Sequence, residues 1–357
     1  MQSGPRERTL VIQTGFLGDL VLSLPLIRAL HAARPDSPIT LAVREGLGDL
    51  VRDQPGVDDT IVIRKRQSWR GQIATDVRRF RRLRRSGYDA VYLAHRSFRT
   101  GLHAWMTGAR SRVGFAAAPS SWACTRTIRY DSQRHVSERF LALAGSTSAT
   151  PPSYVVAPGP RDAAARLLSE HAVDPGVRFV ALAPGSVWPT KRWTDHGFTE
   201  LARWAGTRGL VVVLVGTAAE HALCQRVRAA AGSGVINLAG RTGPAELAGI
   251  LERALALIGN DSGPGHLAAA VGTPVISIFG PTEPALGFRP LGQRVLTVDL
   301  GTTLDCRPCS VHGSRRCPQG HHRCMRDLEP SDVIDRIQAW PLNPLISSPG
   351  KPPTLPE

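Results

Sequence analysis

TLVIQTGFLGDLVLSLPLIRAL, residues 9–30, reads as a strand, a glycine turn and a helix in direct succession. Residues 9–14 carry apolar side chains without polar alternation, which suits a parallel strand covered on both faces. Gly15 and Gly18 let the chain turn tightly, and the apolar residues after them belong to a helix. The same alternation extends outward. ITLAV (39–43) and TIVI (60–63) read as strands. Residues 72–86 read as an amphipathic helix with Ile73, Val77, Phe80 and Leu83 at helical spacing, and YDAVYLA (88–94) as the next strand. Strands alternating with helices predict a doubly wound α/β sheet.

A segment rich in Pro, Ser and Gly, AGSTSATPPSYVVAPGPR (144–161), reads as a linker, and a second α/β series follows it. Strands are expected at 177–184, 210–216, 235–240, 254–260 and 274–280, with helices near 194–207, 218–231 and 244–253. PVISIFG (274–280) is the last clear strand. The reading gives a domain over 1–155, a second over 156–329, a final helix at 330–340 and a disordered tail at 341–357. A chain of 357 residues exceeds the roughly 250–300 residues at which a single core stops growing. Two such Rossmann-like domains are expected to face each other across an interdomain cleft, at the carboxyl ends of their strands.

With 42% hydrophobic residues, disorder is excluded for most of the chain. The net charge of +15 is uneven: residues 1–150 hold 24 basic and 12 acidic side chains, or +12, and the rest hold 20 and 17, or +3. The first half is thus suited to an anionic partner. Lys65, Lys191 and Lys351 are the only lysines. No apolar run approaches the ~20 residues of a membrane span, and the charged start lacks the apolar core of a signal peptide. Six cysteines are too few for a disulfide scaffold in a chain of this length. The expected location is the cytoplasm.

Three segments carry chemistry. In the first, Asp19 sits in the opening helical turn, where it reads either as a cap favoured by the helix dipole or as a general base. The spacing does not match a dinucleotide fingerprint, which disfavours NAD. In the second, PGSVWPTKRWTDHGFTELA (184–202), a strand ends in a loop with Thr190, Lys191 and Arg192 before a helix opens near Thr194. Such a loop is either solvated surface or a phosphate cradle of backbone N–H groups and a cation. In the third, GNDSGPGHLAAAVGTPVISIFGPTEP (259–284), a strand ends in Asp261 and Ser262 and a helix starts at once. Its N-terminal N–H groups can hold phosphate. Ser262 also reads as a cap, and His266 as a packed core histidine.

GDLVLSLPLIRAL, PTKRW, GTAAE, NDSGPGHLAAAVGTPVISIFGPTEP and the terminal Cys/His cluster together resemble the ADP-heptose:lipopolysaccharide heptosyltransferase family, in particular its heptosyltransferase II-like branch. The resemblance runs from about residue 9 to 340. Those enzymes are inverting glycosyltransferases of the GT-B class, and the resemblance implies transfer of heptose from ADP-heptose to the inner core of lipopolysaccharide. It implies Asp19 as the base that deprotonates the acceptor hydroxyl. It also implies Lys191, with Thr190 beside it, on the donor pyrophosphate, and Glu220 on the nucleoside. Thr242 falls near the adenine, and Asp261, Ser262, Gly263 and His266 fall in the donor-binding turn. The family's first domain holds the acceptor, so Gly18, Arg96 and Arg99 are expected on that side. No cofactor is expected for catalysis, and the chain has no Asp-x-Asp motif for a catalytic metal.

The helix at 72–86 carries Arg78, Arg79, Arg81, Arg82, Arg84 and Arg85, and Arg96, Arg99, Arg110 and Arg112 follow. It reads as a solvated face or as a surface for anions. With the resemblance, the expected partners are the phosphorylated lipid A-core acceptor and the cytosolic face of the inner membrane, touched peripherally. Nucleic acid is not expected, because no binding motif accompanies the charge. Cys306, Cys309, Cys317 and Cys324, with His312, His321 and His322 near them, read either as a structural zinc site or as reduced cysteines. Two other readings stand: a glycosyltransferase using another nucleotide sugar for a different glycan or a secondary metabolite, and a non-catalytic nucleic-acid-binding protein.

Overall fold

A computed structural model describes residues 7–64, 82–146, 150–301 and 304–345. Two compact units divide the chain, Met1–Val155 and Val156–Glu357.

The first unit holds a six-stranded parallel sheet of β1 (Thr9–Gln13), β2 (Ile39–Arg44), β3 (Asp59–Ile63), β4 (Ala90–Leu93), β5 (Ser111–Phe115) and β6 (Arg126–Ile128), in the order β3-β2-β1-β4-β5-β6. All five residues of β1 are buried, as its unbroken apolar run requires. Thr9 pairs with Ile39 on one side and Ala90 on the other, so the strand order reverses at β1. Ligands gather at the carboxyl side of such a reversal. The helix Leu17–Leu22 leaves β1 there, and the helix Phe98–Met106 leaves β4. β5 and β6 lie beyond the strands expected from the sequence. Their open polar character, with Arg126 and Thr127 exposed, hides them from a search for apolar runs. Of the expected basic helix, residues 72–81 lie outside the described residues, Arg78, Arg79 and Arg81 among them. Residues 82–85 are helical.

The second unit repeats the plan with β7 (Phe179–Ala183), β8 (Val211–Leu214), β9 (Val235–Asn237), β10 (Leu257–Asn260), β11 (Val275–Ile278) and β12 (Val295–Val298), in the order β12-β11-β10-β7-β8-β9. All ten pairings in the two sheets are parallel. Here the order reverses between β7 and β10, where Leu257 pairs with Ala181. The helix Asp195–Gly206 is capped by Thr194, whose Oγ1 accepts from Gly197 N at 2.9 Å. The helix Gly263–Ala270 packs on β10 and β11 through its buried alanines, which let it approach closely. Trp193, Phe198, Met325 and Ile337 share the unit's core, and Trp193 meets Phe198 edge-on at 5.4 Å between centroids.

Two expectations change. The linker is not a free tether: Gln54 donates to Val155 O at 2.7 Å and accepts from Val155 N at 3.1 Å, Tyr154 and Val156 are buried, and a helix begins at Pro158. Its apolar residues, set among Pro and Ser, give it something to pack. Residues 341–345 also belong to the fold, because Leu345 is buried in the core of the second unit. Residues 346–357 lie outside the described residues. The helix Pro330–Ala339 packs on the Asp195–Gly206 helix and belongs to that unit. Among the described residues, no helix is long and apolar enough to cross a membrane.

Candidate functional site

In the first unit, the loop after β1 folds Asp19 back on itself. Its Oδ2 accepts from Phe16 N at 3.0 Å, and Gln13 Oε1 accepts from Gly15 N at 3.0 Å. A Cβ at position 15 would lie 2.7 Å from Asp19 Oδ2 and 2.9 Å from Gln13 Oε1, so a larger residue there would displace the Asp19 carboxylate. Gly18 is buried one residue before Asp19, and Asp19 itself is half-buried. The capping role and the reactive role of Asp19 are compatible, since one oxygen serves the backbone.

The loop after β4 brings a residue that the sequence reading missed. His95 Nδ1 lies between the hydroxyls of Thr14 (2.9 Å) and Thr100 (3.0 Å). Burial pushes its pKa below the usual value, against the pull of Asp19 and with the push of Arg44. His95 is therefore neutral at pH 7 and close enough to Asp19 to feel its charge. Its only sequence signal is its place just past the carboxyl end of a strand. Arg96 and Arg99 diverge. The Arg96 guanidinium stacks over Tyr130 at 3.9 Å, and its Nε is buried with no hydrogen-bond partner among the described residues. Arg99 donates to Arg64 O at 3.3 Å.

In the second unit, three loops meet at the carboxyl edge beside the strand-order reversal. Asn260, at the end of β10, ties them: its Nδ2 donates to Pro184 O at 2.8 Å, and its Oδ1 accepts from Trp193 N at 2.9 Å. Next to it Lys191 Nζ pairs with Asp261 Oδ2 at 2.5 Å, with side chains only 11% and 4% exposed. Thr282 Oγ1 donates to the same carboxylate oxygen at 2.8 Å. Thr282 lies in the GPT segment, and nothing local in the sequence marks it as a partner of Asp261. The chain then enters the Gly263–Ala270 helix. The Ser262 hydroxyl at its N-cap is buried and has no hydrogen-bond partner among the described residues. A buried hydroxyl without a partner is costly, and at a helix N-terminus it is placed to meet an anion. His266 is buried in the first turn of the same helix.

Thr190 and Glu220 also belong to this edge. Thr190 Oγ1 bonds both the O and the N of Ser314, each at 2.9 Å. Glu220 Oε2 accepts from Thr217 N at 2.8 Å and from its hydroxyl at 2.9 Å. The Glu220 carboxyl rests against Gly185, where a Cβ would overlap it. Glu220 thus reaches the loop after β7. Thr242 is half-buried in the turn between β9 and the Pro244–Arg253 helix.

The four cysteines of the terminal cluster lie close enough to influence one another. Burial first, then Cys309, Cys317 and Cys306, push the Cys324 thiol up to about 11, with Arg307 opposing. Cys309 Sγ donates to Cys306 O at 2.9 Å, and Cys306 Sγ lies 4.0 Å from His321 Nε2. Among the described residues no three His, Cys, Asp or Glu side chains are arranged to hold a metal ion.

Two Rossmann-like units, one with a carboxylate at the mouth of its sheet and one with a buried cation beside a helix N-terminus at the same place, define an α/β protein of GT-B type. The E. coli ADP-heptose lps heptosyltransferase II structure shares this fold, with a TM-score of 0.78 and 24% identity over 93% of this chain and 98% of that one. The family model for glycosyltransferase family 9 (heptosyltransferase) matches residues 77–318, well over half of the chain, and the chain belongs to that family. It is a glycosyltransferase. Lipopolysaccharide heptosyltransferase 2 of Escherichia coli (strain K12) is 26% identical over 93% of this chain and 98% of its own length. Lipopolysaccharide heptosyltransferase 1 of Pseudomonas aeruginosa is 29% identical, covering 94% and 99%.

Proposed function

We propose that this glycosyltransferase moves heptose, with inversion, from ADP-heptose to the inner core of lipopolysaccharide. The observation that carries the donor half is the buried Lys191–Asp261–Thr282 set beside the unpartnered Ser262 hydroxyl at a helix N-terminus. The diphosphate of a nucleotide sugar supplies the anion this arrangement lacks. Lys191, held by Asp261, presents its remaining N–H groups to the phosphates, and the helix N-terminus adds backbone donors. Glu220 accepts from the nucleoside hydroxyls, with Thr242 near the base. The choice of heptose and of lipopolysaccharide rests on the named relatives in Escherichia coli and Pseudomonas aeruginosa.

Asp19 acts as the base. Its carboxylate takes the proton of the acceptor hydroxyl while that oxygen attacks the anomeric carbon. The bond from that carbon to the β-phosphate oxygen breaks, and its electron pair leaves with ADP. Attack from the side opposite the leaving group inverts the centre. His95, neutral and hydrogen-bonded to Thr14 and Thr100, steadies the loop beside Asp19. The +12 half, with Arg96 on Tyr130, offers its charge to the phosphates of a lipid A-core acceptor and to an anionic membrane surface.

Asp19→Asn tests the assignment. The amide still accepts from Phe16 N, so the loop keeps its shape. Transfer should fall at least 10²–10⁴-fold, while ADP-heptose binding by calorimetry stays at the wild-type level. Turnover close to wild type would remove Asp19 as the base.

A further inference from the structure

The cysteine-rich segment has no role in the reaction as described, yet it touches the donor site at both edges. At one edge His322 Nε2 meets Thr190 O at 2.7 Å. A carbonyl only accepts, so Nε2 carries the proton. Ser314 grips the Thr190 hydroxyl with its backbone N and O. A Cβ on Gly313 would come within 3.0 Å of Lys191 Cγ and Trp188 Cβ, so the segment runs directly along the lysine stem. At the other edge Arg307, its side chain 1% exposed, donates to Gly280 O at 2.5 Å and Thr282 O at 3.3 Å, and pairs with Asp299 at 3.0 Å. Cys309 N donates to Pro281 O at 2.9 Å. The loops held in this way are those that follow β7 and β11. They carry Lys191 and Thr282, the two partners of Asp261.

We propose that the segment 306–324 is a clasp that sets the Lys191 loop and the Thr282 loop at the spacing a diphosphate requires, with His322 and Arg307 as its positioning residues. Neither residue needs to touch the donor. His322 fixes the carbonyl one residue before Lys191. Arg307 fixes the carbonyls of Gly280 and Thr282, the first and last residues of the GPT turn. A guanidinium is suited to this because its fork satisfies several acceptors at once. The four thiols are buried or half-buried within the segment, and the holding falls to His322, Arg307 and the backbone. The proposal rests on the diphosphate reading of the Lys191 site given above.

The test separates phosphate positioning from general stability by titrating the full-length protein with ADP and with adenosine, which lacks the phosphates. His322→Ala should weaken ADP about tenfold, the loss of one such contact (about 1.4 kcal/mol). Adenosine affinity should not change. His322→Gln should recover most of the ADP affinity, because its amide nitrogen can stand where Nε2 does and donate to the Thr190 carbonyl. Arg307→Lys keeps a cation beside Asp299 but loses the fork, and should show the same ADP-selective loss, so the proposal remains testable if His322→Ala does not fold. Equal weakening of ADP and adenosine, or no weakening in either variant, overturns it. Failure of the wild-type protein to bind ADP at all would instead overturn the diphosphate reading on which it depends.

Discussion

Lys191→Met removes the cation paired with the Asp261 carboxylate and tests whether the donor site is held together by that pair. Both side chains are nearly enclosed, at 11% and 4% exposure, and Nζ sits 2.5 Å from Oδ2. Removing one partner of a buried pair leaves the other charge without compensation, which costs about 3–5 kcal/mol. Here Thr282 Oγ1 still donates to Asp261 at 2.8 Å, and the following helix N-terminus favours a carboxylate. The lower end, about 3 kcal/mol, is therefore expected. For a unit of this size that is a fall in Tm of roughly 6–12 °C. Asp261→Asn should cost a similar amount by stranding the ammonium. The double variant Lys191→Met/Asp261→Asn leaves no buried charge and should recover most of the loss, costing about 1 kcal/mol against the roughly 6 kcal/mol of two independent changes, a coupling of about 5 kcal/mol. Urea unfolding of the four proteins without nucleotide measures the cycle. Single effects that add to within about 0.5 kcal/mol would show that the two residues are not coupled and would refute the reasoning.

Two further outcomes are expected. Burial lowers the pKa of His95 from its usual 6.5, so the unfolded chain takes up the proton first as pH falls. Stability should therefore be lost below about pH 6.5, down to the folded-state value, and urea midpoints at pH 7.5 and 5.5 should differ less in His95→Gln than in wild type; equal differences would contradict a buried neutral His95. Gly185→Ala drives a Cβ into the Glu220 carboxyl and should weaken adenosine binding at least tenfold by calorimetry, whereas an unchanged affinity would detach Glu220 from the nucleoside.

What the sequence reveals here depends on how local each feature is. The strands that run apolar without interruption, such as β1, β7 and β11, are visible because a parallel sheet buries both faces. β6 and β12 are edge strands, with burial too partial to leave such a run. Asp19, Lys191, Asp261 and Ser262 stand out because a glycine turn or a helix start marks each position. Their partners do not. Thr14 and His95 are 81 residues apart, Lys191 and Asp261 are 70 apart, and His322 meets Thr190 across 132. Such pairs come together only once the strand order places β1 beside β4 and β7 beside β10. The cysteine spacing drew attention to metal binding, whereas the contacts that reach the donor loops come from the arginine, histidine and backbone between those cysteines.

Transfer itself is the most direct measurement. The purified chain should be incubated with ADP-heptose and a panel of truncated lipopolysaccharide core acceptors, with the products read by mass spectrometry. The proposed function predicts an acceptor heavier by one heptose, formed by the wild-type protein and not by Asp19→Asn. Absence of that product with ADP-heptose, together with sugar transfer from a different nucleotide sugar, would contradict it.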